Sequence, residues 1–282
     1  MKKVILFSVI TAILCLSPIN IKPFKAGCSS FMNEVEASYT DEIYDNFTYK
    51  YKKESSYGGL TYRVYNDEAA IVKCTNSWED VIVPEMIDEY KVVAILEDAF
   101  RGCKDIVDVT LPDTITYIGQ NAFCNCSNLE KINLPVNIER IQQATFYGCT
   151  NLKEIEFPQN IIYIGINAFR DCTSLEKIII PDGVITMERD IFNGCTNLKS
   201  IYIPDSVETM GEYMFYNCYN LEYVKLPENI KTVEPYFFSY CSNLKNIILP
   251  AKIETIYQGV FLQCTNLNFV VFKGNAPIFS NS

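Results

Sequence analysis

The chain contains no histidine. That absence excludes Ser-His-Asp and Cys-His catalysis and histidine-ligated zinc together, because each needs an imidazole as base or ligand. Paired carboxylates and Ser-Lys arrangements stay formally open. Basic residues are also scarce: 24 Lys and Arg stand against 34 Asp and Glu, a net charge of −10. A nucleic-acid partner is therefore disfavoured, since phosphate contacts need a basic stripe. No segment carries a sustained helical period of apolar residues. The one extended apolar run is Val4–Leu16, behind Met1-Lys2-Lys3 and stopped by Pro18. It is too short for a comfortable transmembrane helix.

What is present is a repeat. Phenylalanine falls every 23 residues from Phe100 to Phe261, and a cysteine follows each three residues later, from Cys103 to Cys264. One full copy reads Leu129, Ile132, Leu134, Pro135, Ile138, Ile141, Phe146 and Cys149. A period in the twenties with this leucine-rich spacing is the signature of a solenoid, in which each coil buries its apolar face only against its neighbours. Period-two alternation predicts a short strand at Lys131–Leu134 with Ile132 and Leu134 inward. Pro135 ends it, having no N–H to give a ladder. The expected fold is mainly β: a right-handed leucine-rich-repeat solenoid of 23-residue coils with two ladders of short strands. An N-terminal β-hairpin cap is expected from Leu60–Tyr65 and Ala69–Cys74 around Asn66-Asp67-Glu68. Cys74-Thr75-Asn76 followed by Val81-Ile82-Val83-Pro84 aligns with Cys149-Thr150-Asn151 and Ile155-Glu156-Phe157-Pro158. The solenoid therefore starts one coil before the regular copies. The stretch from Pro84 to Phe100 is longer than later copies, with a bulge expected at Asp88–Lys91.

The basic start and apolar run at residues 1–27 have the build of an export signal. Ala26-Gly27-Cys28 resembles the end of a lipoprotein box, which makes Cys28 a candidate for lipidation; ordinary cleavage nearby and an uncleaved anchor remain alternatives. Residues 28–57 read as a tether, with an edge strand near Phe47–Tyr51. Residues 58–99 read as cap and irregular first coil, and 100–277 as the regular repeats with a closing strand.

Twelve cysteines in an exported chain invite a disulfide reading. Equivalent residues in a stack point the same way, however, whereas a disulfide needs converging Cβ vectors. A reduced, buried column is expected instead, packing as small apolar residues. Cys124-Asn125-Cys126 is not expected to hold a metal, because one of its thiols belongs to the core. The asparagine after each cysteine, such as Asn151 and Asn220, is expected to satisfy bare backbone groups at a corner. Glu188, Asp190, Glu208 and Glu212 read as charge on solvated turns.

The residues Ile132-Asn133-Leu134-Pro135, Ala122-Phe123, Ala168-Phe169 and the Cys149-Thr150-Asn151-Leu152 corner resemble the BspA-type leucine-rich repeats of secreted and cell-surface proteins. The closing Phe272–Pro277 resembles that family's usual final strand. The resemblance implies an extracellular or surface-attached recognition protein, with no catalytic or cofactor-binding residues and an extracellular protein or glycan as partner. Membrane attachment would come only through a lipid or an uncleaved signal. A structural or assembly role in a surface complex is the alternative.

Recognition has to use the outward residues that the repeat leaves free. On the first ladder these turn apolar and aromatic in the C-terminal half: Ile179, Tyr202, Tyr223 and Ile248, with Lys225 among them. Such a patch is the candidate binding surface. Tyr213, Tyr216, Tyr219, Tyr236 and Tyr240 form a second cluster on the loops.

Overall fold

The computed structural model describes residues 3–6, 51–75 and 77–280. Among these the protein is a β-solenoid without a helix, and its coils repeat every 23 residues. The first ladder runs from Asp80–Ile82 through Asp108–Thr110, Lys131–Ile132, Glu154–Ile155, Lys177–Ile178, Ser200–Tyr202, Tyr223–Lys225 and Asn246–Leu249 to Phe269–Phe272. Its hydrogen-bonded neighbours are parallel, with Lys131 opposite Asp108 and Tyr223 opposite Ser200. Parallel pairing at this register stacks each residue on its equivalent one coil away, so alternation in one coil becomes a buried and an exposed column along the molecule. The second ladder contains Tyr117–Ile118, Arg140–Ile141, Tyr163–Ile164, Thr186–Met187, Thr209–Met210, Thr232–Val233, Thr255–Ile256 and Ile278–Phe279.

The cap lies on the N-terminal end of that second ladder. Lys53–Tyr57, Leu60–Tyr65 and Glu68–Cys74 form an antiparallel meander, and the last of them pairs in parallel with Tyr90–Ile95. Two-residue turns join the meander, Gly58-Gly59 and Asn66-Asp67, with φ positive at all four residues. This is the turn geometry that follows the natural strand twist. Two readings are corrected here. Residues 53–57, at the end of the stretch taken as a tether, form the first cap strand, and Glu68 belongs to a strand rather than to the turn. The long segment after Pro84 is a small hairpin, Met86–Ile87 against Tyr90–Ile95, turned by Asp88 at φ 55°. Lys3–Leu6 pairs antiparallel with Phe269–Phe272 and so covers the far end of the first ladder. Phe47–Lys50 and Cys28 lie outside the described residues.

One apolar core continues from Leu60 to Phe272. Its axis is the phenylalanine column. Consecutive rings from Phe100 to Phe261 sit 4.9–5.9 Å apart and nearly parallel. Burying such a side chain contributes about 1.5–3 kcal/mol. Ring–ring contact adds about 0.5–1.5 kcal/mol per pair.

Of the cysteines beside them, all those described are buried except the half-buried Cys103. From Cys126 to Cys264 each thiol donates to the carbonyl oxygen of the phenylalanine one coil back, as Cys195 does to Phe169 at 3.1 Å and Cys218 to Phe192 at 3.0 Å. Burial pushes these thiols well above their usual range, away from the reactive thiolate. Denaturing the purified protein without reductant should therefore release nearly all its thiols to a chromogenic disulfide reagent, while the native protein reacts slowly. Near-complete disulfide content would contradict the arrangement.

Two positions in every regular coil adopt left-handed backbone. One column is Asp98, Asn121, Ala144, Asn167, Asp190, Tyr213, Tyr236 and Gly259; the other is Gly102, Asn125, Gly148, Asp171, Gly194, Asn217, Tyr240 and Gln263. Gly, Asn and Asp enter this region most easily, while other L residues are disfavoured by ~1–2 kcal/mol. Side chains in these columns lean over the next coil, as Asn125 does over Gly148 and the Tyr236 ring over Gly259.

Candidate functional site

The outer face of the first ladder is built by the inward pull of Ile178, Ile201, Val224, Ile247 and Val270, all buried. Their neighbours on the same short strands must point outward. The structure leaves Ile179 81% exposed, Tyr202 53%, Tyr223 57%, Ile248 50% and Phe269 37%. Register brings them together: Ile179 bridges to Tyr202, Tyr202 lies opposite Lys225, and Ile248 lies opposite Val271. In the neighbouring column Tyr223 follows Ser200, and Phe269 follows Asn246. At ~4.8 Å per strand the strip from Ile179 to Val271 extends about 19 Å.

Lys225 belongs to this strip geometrically but does not present a free charge. Its Nζ lies 4.7 Å from the centre of the Tyr202 ring and pairs with Asp205. Burial works against the Lys225 charge, but the bond and charge of Asp205 together with Tyr202 outweigh it and the pKa is raised. Asp205 is lowered, first by Lys225 and then by the Glu228 N–H that it accepts at 3.0 Å. The result is an apolar strip in which the Lys225 charge is internally neutralised, with Lys177 exposed at its N-terminal edge. Sequence reasoning missed Asp205, because it comes from a corner and reaches the strip only when coils stack.

The N-terminal half of the same face is different. Lys131, Glu154 and Glu156 are exposed charges. Asn133 is held in place: its amide accepts from Leu111 N–H at 2.7 Å and donates to Leu111 O at 2.8 Å, taking the part of a backbone rung. At the free end of the ladder Trp78, Ile82 and Met86 are exposed, with Ile82 at 72%.

A further column follows the same 23-residue step. Glu130, Lys153, Glu176, Lys199, Glu222 and Lys245 alternate in charge at 23-residue steps, and the pairs 130–153, 176–199 and 222–245 are bridged. Exposed pairs of this kind contribute ~0–1 kcal/mol each. Three of the corner asparagines behave otherwise than expected. Asn220, Asn243 and Asn266 each donate to the amide oxygen of the asparagine one coil back, forming an exposed ladder rather than serving the backbone. Asp190 is also a correction: it is buried, not solvated, accepting from Asn193 at 2.7 Å and facing Arg170 at 3.3 Å. Burial raises its pKa despite these partners.

A solenoid whose 23-residue coils each bury equivalent Leu, Ile, Phe and Cys positions has the build of a leucine-rich-repeat protein. A model of the BspA type leucine rich repeat region matches residues 74–195 and 163–282, in six copies. The chain belongs to that family. Among solved structures it is similar to a leucine rich repeat protein of T. pallidum, with 30% identity and a TM-score of 0.59 over 68% of this chain and 91% of that one. It is also similar to a leucine-rich repeat protein of Bacteroides ovatus ATCC 8483, with 28% identity and a TM-score of 0.60 over 82% of this chain and 66% of the other. No curated protein matches the chain.

Proposed function

We propose that this protein is a non-enzymatic recognition protein, exported or attached to the cell surface, whose first-ladder face between Ile179 and Phe269 receives an extracellular protein or glycan. The observation that supports this reading is the exposed strip of Ile179, Tyr202, Tyr223 and Ile248, within which the Lys225 charge is held by Asp205. Surface chains seldom leave so much apolar area open unless something covers it. Attachment through a lipid on Cys28 is part of the same proposal, and the intact mass of the exported protein decides it.

The test begins with an array of matrix proteins and glycans probed with the exported protein. For a ligand found there, replacing both Tyr202 and Tyr223 by Ala is expected to weaken binding at least tenfold, since buried aromatic anchors dominate recognition surfaces. Unchanged affinity for every ligand found would remove the strip from consideration. An assembly role is the second reading, favoured by the exposed Trp78, Ile82 and Met86 beside the open end of the ladder. Concentration-dependent sedimentation that Ile82→Lys abolishes, without any ligand on the array, would select it.

A further inference from the structure

The tyrosines on the loops occupy positions that suit them poorly. Tyr213, Tyr236 and Tyr240 have φ of 55°, 55° and 63° in columns where other coils mostly use Asp, Asn or Gly. A bulky residue in this region is an outlier, and local strain held by surrounding structure concentrates at functional positions. They lie in two consecutive coils and are joined into one cluster through Tyr216. The Tyr213 and Tyr236 rings stack at 5.1 Å and 7°, Tyr216 meets Tyr240 edge-on at 5.3 Å, and Tyr213 meets Tyr216 at 5.7 Å. The result is a rigid, half-exposed block of aromatic side chains, pre-ordered before any partner arrives.

What the block can bind follows from what it shows. One face of Tyr236 is covered by Tyr213 and the other by Gly259, so no open face remains on that ring for a sugar to stack upon. All four tyrosines keep part of their surface exposed, and phenolic oxygens accept hydrogen bonds, although the Tyr216 and Tyr240 hydroxyls also engage each other. Carboxylates surround them. Glu212 faces Arg189 at 3.8 Å, Asp190 has Arg170, and Glu234 has no ion pair among the described residues. Glu212 is held above its usual range by burial despite Arg189, with Asp190 and Glu234 adding repulsion. An anion would add to that repulsion, whereas a guanidinium or ammonium relieves it while donating to phenolic and carboxylate oxygens. The chain's net charge of −10 draws the same class of partner from a distance.

We infer that the edge formed by Tyr213, Tyr216, Tyr236 and Tyr240, with Glu212 and Glu234 beside it, is a second recognition surface that receives the basic side chains of a protein partner. It is separate from the ladder strip and does not depend on that strip binding anything.

The experiment uses a twelve-residue peptide alternating Arg and Lys with Ser, titrated at low and moderate salt against the full chain. Its Glu-containing counterpart and a mannooligosaccharide serve as comparison probes. The decisive variant carries Tyr213→Asn, Tyr236→Gly and Tyr240→Asn, which restores the residue types that other coils use. It is expected to keep or raise Tm while losing at least tenfold in affinity for the basic peptide. Should that variant fold poorly, the tyrosines are structural and the inference falls unless Glu234→Gln, which leaves the stack intact, weakens peptide binding at least twofold with unchanged Tm. Tyr202→Ala with Tyr223→Ala should leave the peptide affinity unaltered. Failure of the wild-type chain to bind the peptide, equal binding by the tyrosine variant, or preference for the oligosaccharide would each overturn the proposal.

Discussion

Phe169→Ala is expected to split the unfolding of this protein into two transitions. Phe169 is fully buried, stacked between Phe146 at 5.4 Å and Phe192 at 5.9 Å, and met edge-on by Phe157 at 5.7 Å. Truncating a buried phenylalanine costs about 3–5 kcal/mol through lost burial and the cavity left behind. In a compact globule that loss spreads over one cooperative unit. A solenoid instead joins its coils only through nearest neighbours, so a cavity in the middle weakens the coupling between two halves. The sole tryptophan, Trp78, reports on the N-terminal half. Urea unfolding followed by its fluorescence should therefore separate from unfolding followed by far-ultraviolet circular dichroism. In the wild-type chain the two curves should coincide more closely. A single shared transition in the variant would show that the phenylalanine column does not carry the coupling.

Gly211→Ala is the second large effect expected. The glycine has an ordinary backbone conformation, so conformational freedom is not why it is there. A Cβ at Gly211 would lie 2.4 Å from Arg189 N and 2.5 Å from Arg189 Cα. Those atoms belong to the backbone of the preceding coil, which is itself fixed by Asp190 N–H donating to Glu212 O and Gly211 N–H donating to Met187 O. Relief requires coils to move apart, and overpacking of this kind costs about 1–3 kcal/mol or more. Gly102→Ala makes the informative comparison. Nothing lies within 4 Å of its added methyl group, yet φ is 71°. Its cost is confined to the left-handed backbone, about 1–2 kcal/mol. Chemical denaturation should rank Gly211→Ala as the more damaging. The reverse order would mean that coil spacing is softer than turn geometry.

Much of this architecture could be read from the chain because a parallel stack converts sequence period directly into spatial neighbours. Phe146 and Cys149 announce the core, and the 23-residue step fixes which residue lies on which. For the same reason, the outward placement of Tyr202 and Tyr223 followed from alternation alone. The tethering of Lys225 did not follow, because Asp205 comes from the corner of the preceding coil and its reach depends on how that corner turns. Asp190 was misread for a related reason. Its coil carries the repeat like any other, but its carboxylate turns in toward Asn193, a partner that only the packed corner defines. The loop tyrosines were legible as a cluster, but only the backbone angles mark Tyr213, Tyr236 and Tyr240 as departures from columns that mostly use Asn, Asp and Gly.

The thiol column turns the molecule into its own ruler. From Cys126 to Cys264 every coil contributes one sulfhydryl to this column, each sealed by the same bond to the coil before it, and only the first of these coils adds a second thiol, Cys124. An alkylating reagent can reach a given sulfur only when that coil parts from its neighbour. Labelling rates located along the chain would thus give the opening frequency coil by coil, and show whether the molecule frays from its ends or breathes from within.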